Sequence, residues 1–191
     1  AQYEVTLTDW ISDHRDGREF VALANKCWPA FQTQFGFVPC YVNSRFASRG
    51  IPIACEVDIW GALSEYIASC ITGDAVTILD INNTVPADMY EDSIKGRYNY
   101  REDDVFMGFH CGNTPVCKLC SPELKYQLIM HNSLEPDTEP DITRGTVEGA
   151  IVPGNITLFR LQSTADNILR AYVANGEVLP VATRSFGAIG I

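Results

Sequence analysis

Apolar residues recur at helical spacing in two stretches of the first part of the chain. Residues 18–35 predict a helix that kinks or ends near Pro29, because proline cannot continue a helical hydrogen-bond ladder. Residues 55–72 carry a longer apolar stripe and predict a second helix. Between these helices the pattern predicts short strands at residues 37–42 and 51–54, with a polar loop at residues 43–50 between them.

The pattern changes to short β-type runs in the rest of the chain. Residues 75–81 predict a strand that is apolar on both faces, with Asp80 as its single charge. Further short runs between Gly, Pro and Asn residues predict strands at residues 104–110, 146–152, 156–161 and 170–173. The dipeptide Asn175-Gly176 predicts a tight hairpin turn.

Helix–strand alternation followed by a series of strands predicts an α+β fold. Residues 1–72 are expected to be the C-terminal part of an α/β domain. Residues 73–191 are expected to form a β-rich, largely antiparallel and barrel-like domain. Because the chain begins with Ala1 and ends in the apolar residues 186–191, we expect an excised fragment with a truncated second domain.

Composition narrows the classes of function. Hydrophobic residues make up 46% and charged residues 20% of the chain, as in globular proteins. The net charge of −10 argues against a nucleic-acid partner. No apolar run approaches the ~20 residues of a membrane span, and no secretory leader opens the sequence. Seven cysteines, an odd number, indicate free thiols and a cytoplasmic protein.

Two carboxylates occupy positions where the pattern calls for apolar residues. On a helical wheel Glu56 lies on the stripe of Trp60 and Leu63, whereas Asp58 and Glu65 lie on the opposite, solvated face. Asp80 lies within its apolar strand. Burying an unpaired carboxylate costs several kcal/mol.

Two arrangements satisfy such carboxylates. A hard divalent cation such as Mn²⁺ or Mg²⁺ can bind both Glu56 and Asp80. Alternatively, each carboxylate forms a buried ion pair with Arg45, Arg49 or Arg160.

The segments around these carboxylates resemble the L-fucose isomerase family. The resemblance is carried by Cys-Glu-Val-Asp-Ile-Trp-Gly-Ala-Leu-Ser at residues 55–64 and Leu-Asp-Ile-Asn-Asn at residues 79–83. The separation of 80 − 56 = 24 positions is the one that the resemblance requires between two carboxylate ligands. The likeness begins at about residue 36 and extends through residues 107–115, 140–145 and 179–186.

The resemblance implies an aldose–ketose isomerase, an intramolecular oxidoreductase, that uses Mn²⁺ and a cis-enediol route on a sugar such as L-fucose or D-arabinose. It implies that Glu56 and Asp80 both hold the metal and transfer the proton between C1 and C2. It places His110 and Asn113 at the wall of the sugar pocket and suggests a homo-oligomer, a hexamer in the family. The family's histidine ligand is expected beyond residue 191, since His14, His110 and His131 match no such motif.

Two other functions remain open from the sequence. The chain is alternatively a catalytically silent assembly domain of a larger enzyme. It is alternatively a zinc-binding β module built on His110, Cys111, Cys117 and Cys120, although a single Cys-x2-Cys pair is a weak zinc signature.

Overall fold

The computed structural model describes residues 1–82, 84–126, 137, 139, 141–183 and 188–191. Its first part is mainly helical, and two short parallel strands join these helices. Apolar side chains of α1, α3 and β2, including Ile11, Phe46 and Ile53, form the core beneath them. The elements are α1 (Gln2–His14), β1 (Leu23–Ala24), a π-helical turn (Cys27–Phe31), α2 (Gln32–Phe35), α3 (Cys40–Ala47), β2 (Ile53–Ala54) and α4 (Ile59–Thr72).

Several local predictions in this part are wrong because distant contacts override local pattern. The predicted helix at residues 18–35 is interrupted, since Leu23 and Ala24 pair with Ile53 and Ala54 as strands. The predicted strand at 37–42 and loop at 43–50 are replaced largely by α3. Ser44, in the supposed loop, is buried and its hydroxyl donates to the backbone oxygen of Thr114 at 2.5 Å. The strand predicted at 51–54 is confirmed as β2.

The second part contains a five-stranded sheet with the order β3-β4-β9-β6-β5. Its strand pairs are antiparallel except β6–β9, which is parallel. Two apolar clusters pack against it, one around Met89 and Ile94 and one around Val147 and Val178. The elements are β3 (Asp80–Asn82), α5 (Ala87–Ser93), β4 (Met107–His110), β5 (Leu119–Lys125), β6 (Thr146–Ile151) and β9 (Ala188–Gly190), with 3-10 turns at Glu102–Asp104, Val116–Lys118 and Ile142–Arg144.

A long antiparallel hairpin of β7 (Gly154–Ser163) and β8 (Leu169–Val178) packs against α4. The predicted turn at Asn175-Gly176 is wrong, because these residues lie inside β8, where Gly176 pairs with Ile156. The chain reverses instead near Thr164, whose backbone N–H donates to the carbonyl oxygen of Ile168 at 3.0 Å. Asn167 in this turn has a φ of +59°, a conformation that Asn tolerates better than most residues.

Helix α4 confirms the predicted second helix but begins later and faces the other way. It starts after its N-cap Asp58 rather than at residue 55. Its buried face consists of small and polar residues, namely Gly61, Ala62, Ser64, Glu65 and Ser69. The predicted apolar stripe lies outward, so that Trp60 and Leu63 are exposed. Small side chains let β7 approach the helix closely, and this close contact determines which face is buried.

The α+β class is confirmed by this mixture of helices and small, mainly antiparallel sheets. The barrel-like form is not confirmed, because the described strands make an open sheet with β3 and β5 at its edges. In the described part of the chain, no helix is long and apolar enough to cross a membrane.

Candidate functional site

Glu56 lies in the tight turn that joins β2 to α4. Its φ is +59° and that of Val57 is +58°, and a β-branched residue rarely adopts this left-handed conformation. The turn is held because the Val57 N–H donates to the carbonyl oxygen of Asn25 at 2.9 Å. Glu56 therefore lies just beyond the carboxyl ends of the parallel strands β1 and β2, where α/β proteins commonly bind ligands.

The side chain of Glu56 is exposed in this structure, so the prediction that it is buried on the apolar stripe of a helix is wrong. The reason is that α4 begins at Ile59, three residues after it. Backbone strain like that of the turn at Glu56 is concentrated at functional sites in proteins.

Asp80 is the first residue of β3, at the edge of the sheet, and pairs with Phe109 of β4. Its side chain is exposed, so its predicted burial is also wrong. The strand is only three residues long, and an edge strand leaves its side chains open to solvent. Asp80 is nevertheless close enough to the next residue of β4, His110, to help raise the pKa of that imidazole.

His110 ends β4, as the sequence predicts, and its side chain is buried. Its Nδ1 accepts a hydrogen bond from the backbone N–H of Asn113 at 3.3 Å. Burial alone lowers the pKa of His110, but the hydrogen bond with Cys111 and the charge of Asp80 raise it overall.

Asn113 is also buried, and its side-chain amide donates to the carbonyl oxygen of Ile53 in β2. This hydrogen bond ties the loop after β4 to the strand that leads into Glu56. Gly112 makes the loop possible, because it has a φ of +129° and a Cβ there would collide with Thr146 Oγ1. The structure thus brings Asp80 and His110 together directly, and links them to the Glu56 turn through Asn113.

Glu65 is a residue of this region that the sequence reasoning missed. It lies on the buried face of α4, and burial raises its pKa to about 8. The charge of His110 acts in the opposite direction, and Asp58 adds to the increase. The signal in the sequence was the row of small residues Gly61, Ala62 and Ser69 around Glu65, which indicates a closely packed helix face.

The ion-pair alternative for the two predicted site carboxylates is not favoured by the observed pairs. Arg45 and Arg49 both contact Glu4, at 3.1 and 2.8 Å. Arg160 binds Asp58 through two hydrogen bonds of 2.6 and 3.0 Å. Asp58 was predicted to be a solvated charge, and it is instead the N-cap of α4 and the partner of Arg160.

Four free cysteines from separate segments surround this region. The Cys40 thiol hydrogen-bonds Cys111, and the Cys55 thiol hydrogen-bonds Cys27. Three of them are buried and Cys111 is half-buried. The hydrogen bond from Cys40 and the neighbouring His110 outweigh burial and lower the pKa of Cys111 to about 5.

The donors available for a metal ion are of the hard oxygen type. Neither Glu56 nor Asp80 has an ion pair or side-chain hydrogen bond with another described residue, so both carboxylates are free to bind a hard divalent cation. Over the described ranges, no three His, Cys, Asp or Glu side chains are grouped to hold a metal. The proposed zinc residues His110, Cys111, Cys117 and Cys120 all belong to those ranges, so the zinc-module alternative is not supported. His131 and residues 184–186 of the last family-like motif lie outside the described residues.

Comparisons with known proteins agree with the motifs. The family described as L-fucose isomerase, C-terminal domain, matches residues 108–191. A sulfoquinovose isomerase of Priestia megaterium is 28% identical over 175 residues, 92% of this chain and 34% of that protein. Sulfoquinovose isomerases of Alkalicoccus urumqiensis and Clostridium sp. are each 27% identical, over 98% and 92% of this chain.

The chain spans about a third of the length of these curated relatives. No solved structure matches it significantly. The resemblance to L-fucose isomerase that the sequence motifs carry is confirmed by this family match over residues 108–191 and by these relatives.

Proposed function

We propose, from this family relationship, that the chain is part of an aldose–ketose isomerase and carries two of its metal-binding carboxylates, Glu56 and Asp80. The observation that supports the assignment most directly is the turn at Glu56. It has two consecutive non-glycine residues at positive φ, and it holds an unpaired carboxylate next to the parallel strands. Backbone strain of this kind is concentrated at functional sites, which supports a functional role for Glu56.

The reaction moves one proton between neighbouring carbons. In the proposed scheme a carboxylate takes the proton from C2 of the open-chain aldose, and a proton is returned to C1 from the same face. The proton of the C2 hydroxyl moves to O1, so that a cis-enediol leads to the ketose without net gain or loss of atoms. Glu56 and Asp80 are the proposed bases for these transfers.

A divalent cation such as Mn²⁺, when bound by Glu56 and Asp80, supplies a Lewis acid for the carbonyl group of the sugar. The two carboxylates provide the hard oxygen ligands that such a cation prefers. His110 beside Asp80 contributes a positive charge when protonated, and Asn113 fixes the orientation of the imidazole through its backbone N–H. In this scheme His110 and Asn113 form part of the wall of the sugar pocket.

The proposed substrates fall into two chemical groups. L-fucose and D-arabinose are neutral sugars, whereas the sugar named in the relatives, sulfoquinovose, carries an anionic sulfonate. Turnover of these sugars by the full-length protein distinguishes the groups. We also propose a homo-oligomer of the full-length enzyme.

Replacing the two carboxylates tests the assignment. Glu56→Gln and Asp80→Asn remove a charged ligand and a base while nearly preserving shape, so we expect turnover to fall by ~10³-fold or more. Binding of Mn²⁺, measured by calorimetric titration of the full-length enzyme, is expected to weaken in both variants. Because both side chains are exposed in this structure, we expect the melting temperature to change little.

Asp13→Asn, an exposed position on α1, is the matched control and is expected to keep wild-type turnover. Unchanged Mn²⁺ affinity in both site variants would contradict the metal assignment. Unchanged turnover in both, or a full-length protein that turns over no sugar, would favour the silent assembly domain.

A further inference from the structure

Four cysteines from separate parts of the sequence lie in this region as two pairs. Cys27 begins the π-helical turn, Cys40 begins α3, Cys55 follows β2 and Cys111 follows β4. Cys40 and Cys111 pack in one cluster, and Cys27 and Cys55 are neighbours that alter each other's pKa. Nothing in the proposed isomerase chemistry uses these groups.

The two pairs differ in how solvent reaches them. Cys27 and Cys55 are only 4% and 5% exposed, so both members of that pair are closed off. In the other pair Cys40 is 2% exposed but Cys111 is half-buried, so a small molecule in solvent reaches one member. Cys111 packs against the small buried cluster of Val38 and Cys40, so the two cysteines are in the same cluster.

We propose that Cys40 and Cys111 are a redox-sensitive dithiol that small hydroperoxides convert into an intramolecular disulfide. Cys111 is the attacking thiol, since it is the member of the pair that solvent reaches and since the adjacent His110 favours its thiolate. Cys40 is the resolving thiol, since it is the immediate neighbour.

The oxidation of the two thiols to a disulfide takes two steps. The Cys111 thiolate attacks the outer oxygen of the hydroperoxide, the O–O bond breaks, and a sulfenic acid forms while water or an alcohol leaves. The Cys40 sulfur then attacks the Cys111 sulfur, an S–S bond forms, and water leaves. Two thiols lose two electrons and two protons, and the hydroperoxide accepts them.

The disulfide alters the proposed site, because Cys111 can no longer serve as the hydrogen-bond partner of His110. We therefore expect oxidation to lower isomerase turnover reversibly. This consequence depends on the proposed function, whereas formation of the disulfide does not.

The test is a disulfide map of the full-length protein after titration with hydrogen peroxide and alkylation of the remaining thiols. Trypsin leaves Cys27 and Cys40 together in residues 27–45, and Cys111 and Cys117 together in residues 102–118. Chymotrypsin separates the first two, and Cys117→Ser, at an exposed position, removes the second ambiguity. We expect the Cys40–Cys111 bond to form at lower peroxide than a Cys27–Cys55 bond and to be reversed by dithiothreitol.

A variant checks the order of the steps. In Cys40→Ala the sulfenic acid on Cys111 lacks its resolving thiol, so we expect a dimedone adduct on Cys111 that the wild type does not accumulate. Oxidation of the exposed Cys70, Cys117 and Cys120 without a Cys40–Cys111 bond in the wild type would overturn the proposal. A mapped disulfide in a protein that has no isomerase activity before oxidation would contradict the proposed function and leave the dithiol standing.

Discussion

Two buried polar residues, Glu65 on α4 and His110 at the end of β4, distinguish this molecule. The charge of His110 lowers the pKa of Glu65 against the effect of burial. A helical wheel assigned Glu65 to solvent because it lies opposite the apolar stripe. The wheel identifies two faces, but it does not say which one the rest of the protein covers.

The buried Glu65 makes stability depend on pH. Its pKa is about 8 in the folded protein against 4.5 for an ordinary Glu, so the folded state holds a proton that the unfolded chain has released. The free energy of unfolding therefore falls as pH rises from about 4.5 towards 8, by at most ~1.4 kcal/mol for each pH unit. We expect Glu65→Gln to remove much of this slope and to be more stable than the wild type at pH 8.

Denaturant unfolding at pH 5 and pH 8 measures the effect. Glu19→Gln is the control with the same change of charge at an exposed position, and it is expected to keep the wild-type slope. The pKa of His110 is also raised, so His110 likewise lowers the free energy of unfolding as pH rises above 6.5, the ordinary pKa of histidine. Equal slopes in the wild type and Glu65→Gln would show that Glu65 is ionised in the folded protein.

At the scale of elements, the start of α4 depends on Asp58. Its carboxylate accepts a hydrogen bond from the Gly61 N–H at 2.8 Å and binds Arg160 of β7 at 2.6 Å. A Cβ at Gly61 would come within 2.5 Å of Asp58 Oδ2, so a larger residue there would displace the capping carboxylate. One side chain thus caps the helix and docks the hairpin on it.

A double-mutant cycle separates these two roles. Asp58→Asn keeps a good N-cap but loses the ion pair, whereas Asp58→Ala loses both and is expected to cost about 1 kcal/mol more. Arg160→Met breaks the pair from the other side. We expect a coupling energy of about 0.5–2 kcal/mol between positions 58 and 160, measured by denaturant unfolding. Additive losses would mean that the hairpin does not depend on this ion pair.

The types of the main elements could be predicted from the sequence, whereas their contacts could not. The strands β4, β6 and β7 follow from local apolar runs, and α4 follows from its period. The helix α3 was missed because Asn43 and Ser44 look like loop residues, yet both are buried, and Ser44 is satisfied by Thr114, 70 positions away. The hairpin turn was misplaced because long strand pairing carried Asn175-Gly176 into the middle of β8.

The two carboxylates of the candidate site stay a prediction. They came from family-like motifs, and the reasoning that both are buried is wrong for this structure. The packing of Cys40 against Cys111 could not be predicted, since the two residues are 71 positions apart in sequence (111 − 40 = 71) and the sequence groups Cys111 with Cys117 and Cys120 instead. Contacts across such distances depend on the fold as a whole.

At the scale of the whole molecule, the chain and its relatives differ in extent. The chain corresponds to about a third of the relatives' length. In the part of the chain that the structure describes, no three metal-ligating side chains are grouped. The two proposed carboxylate ligands alone therefore give an incomplete metal shell. Large apolar residues of α4, including Ile59 and Ile71, are also exposed.

Because this metal shell is incomplete, we expect the 191-residue chain, produced by itself, to turn over neither L-fucose, D-arabinose nor sulfoquinovose, even with excess Mn²⁺. A divalent cation held by two carboxylates is bound weakly, because affinity rises with the number of charged ligands. The measurement compares the isolated chain with the full-length protein at equal concentration, and circular dichroism establishes that the isolated chain is folded. Turnover by the folded chain at the rate of the full-length protein would show that the remaining ligand and the sugar pocket lie within these 191 residues.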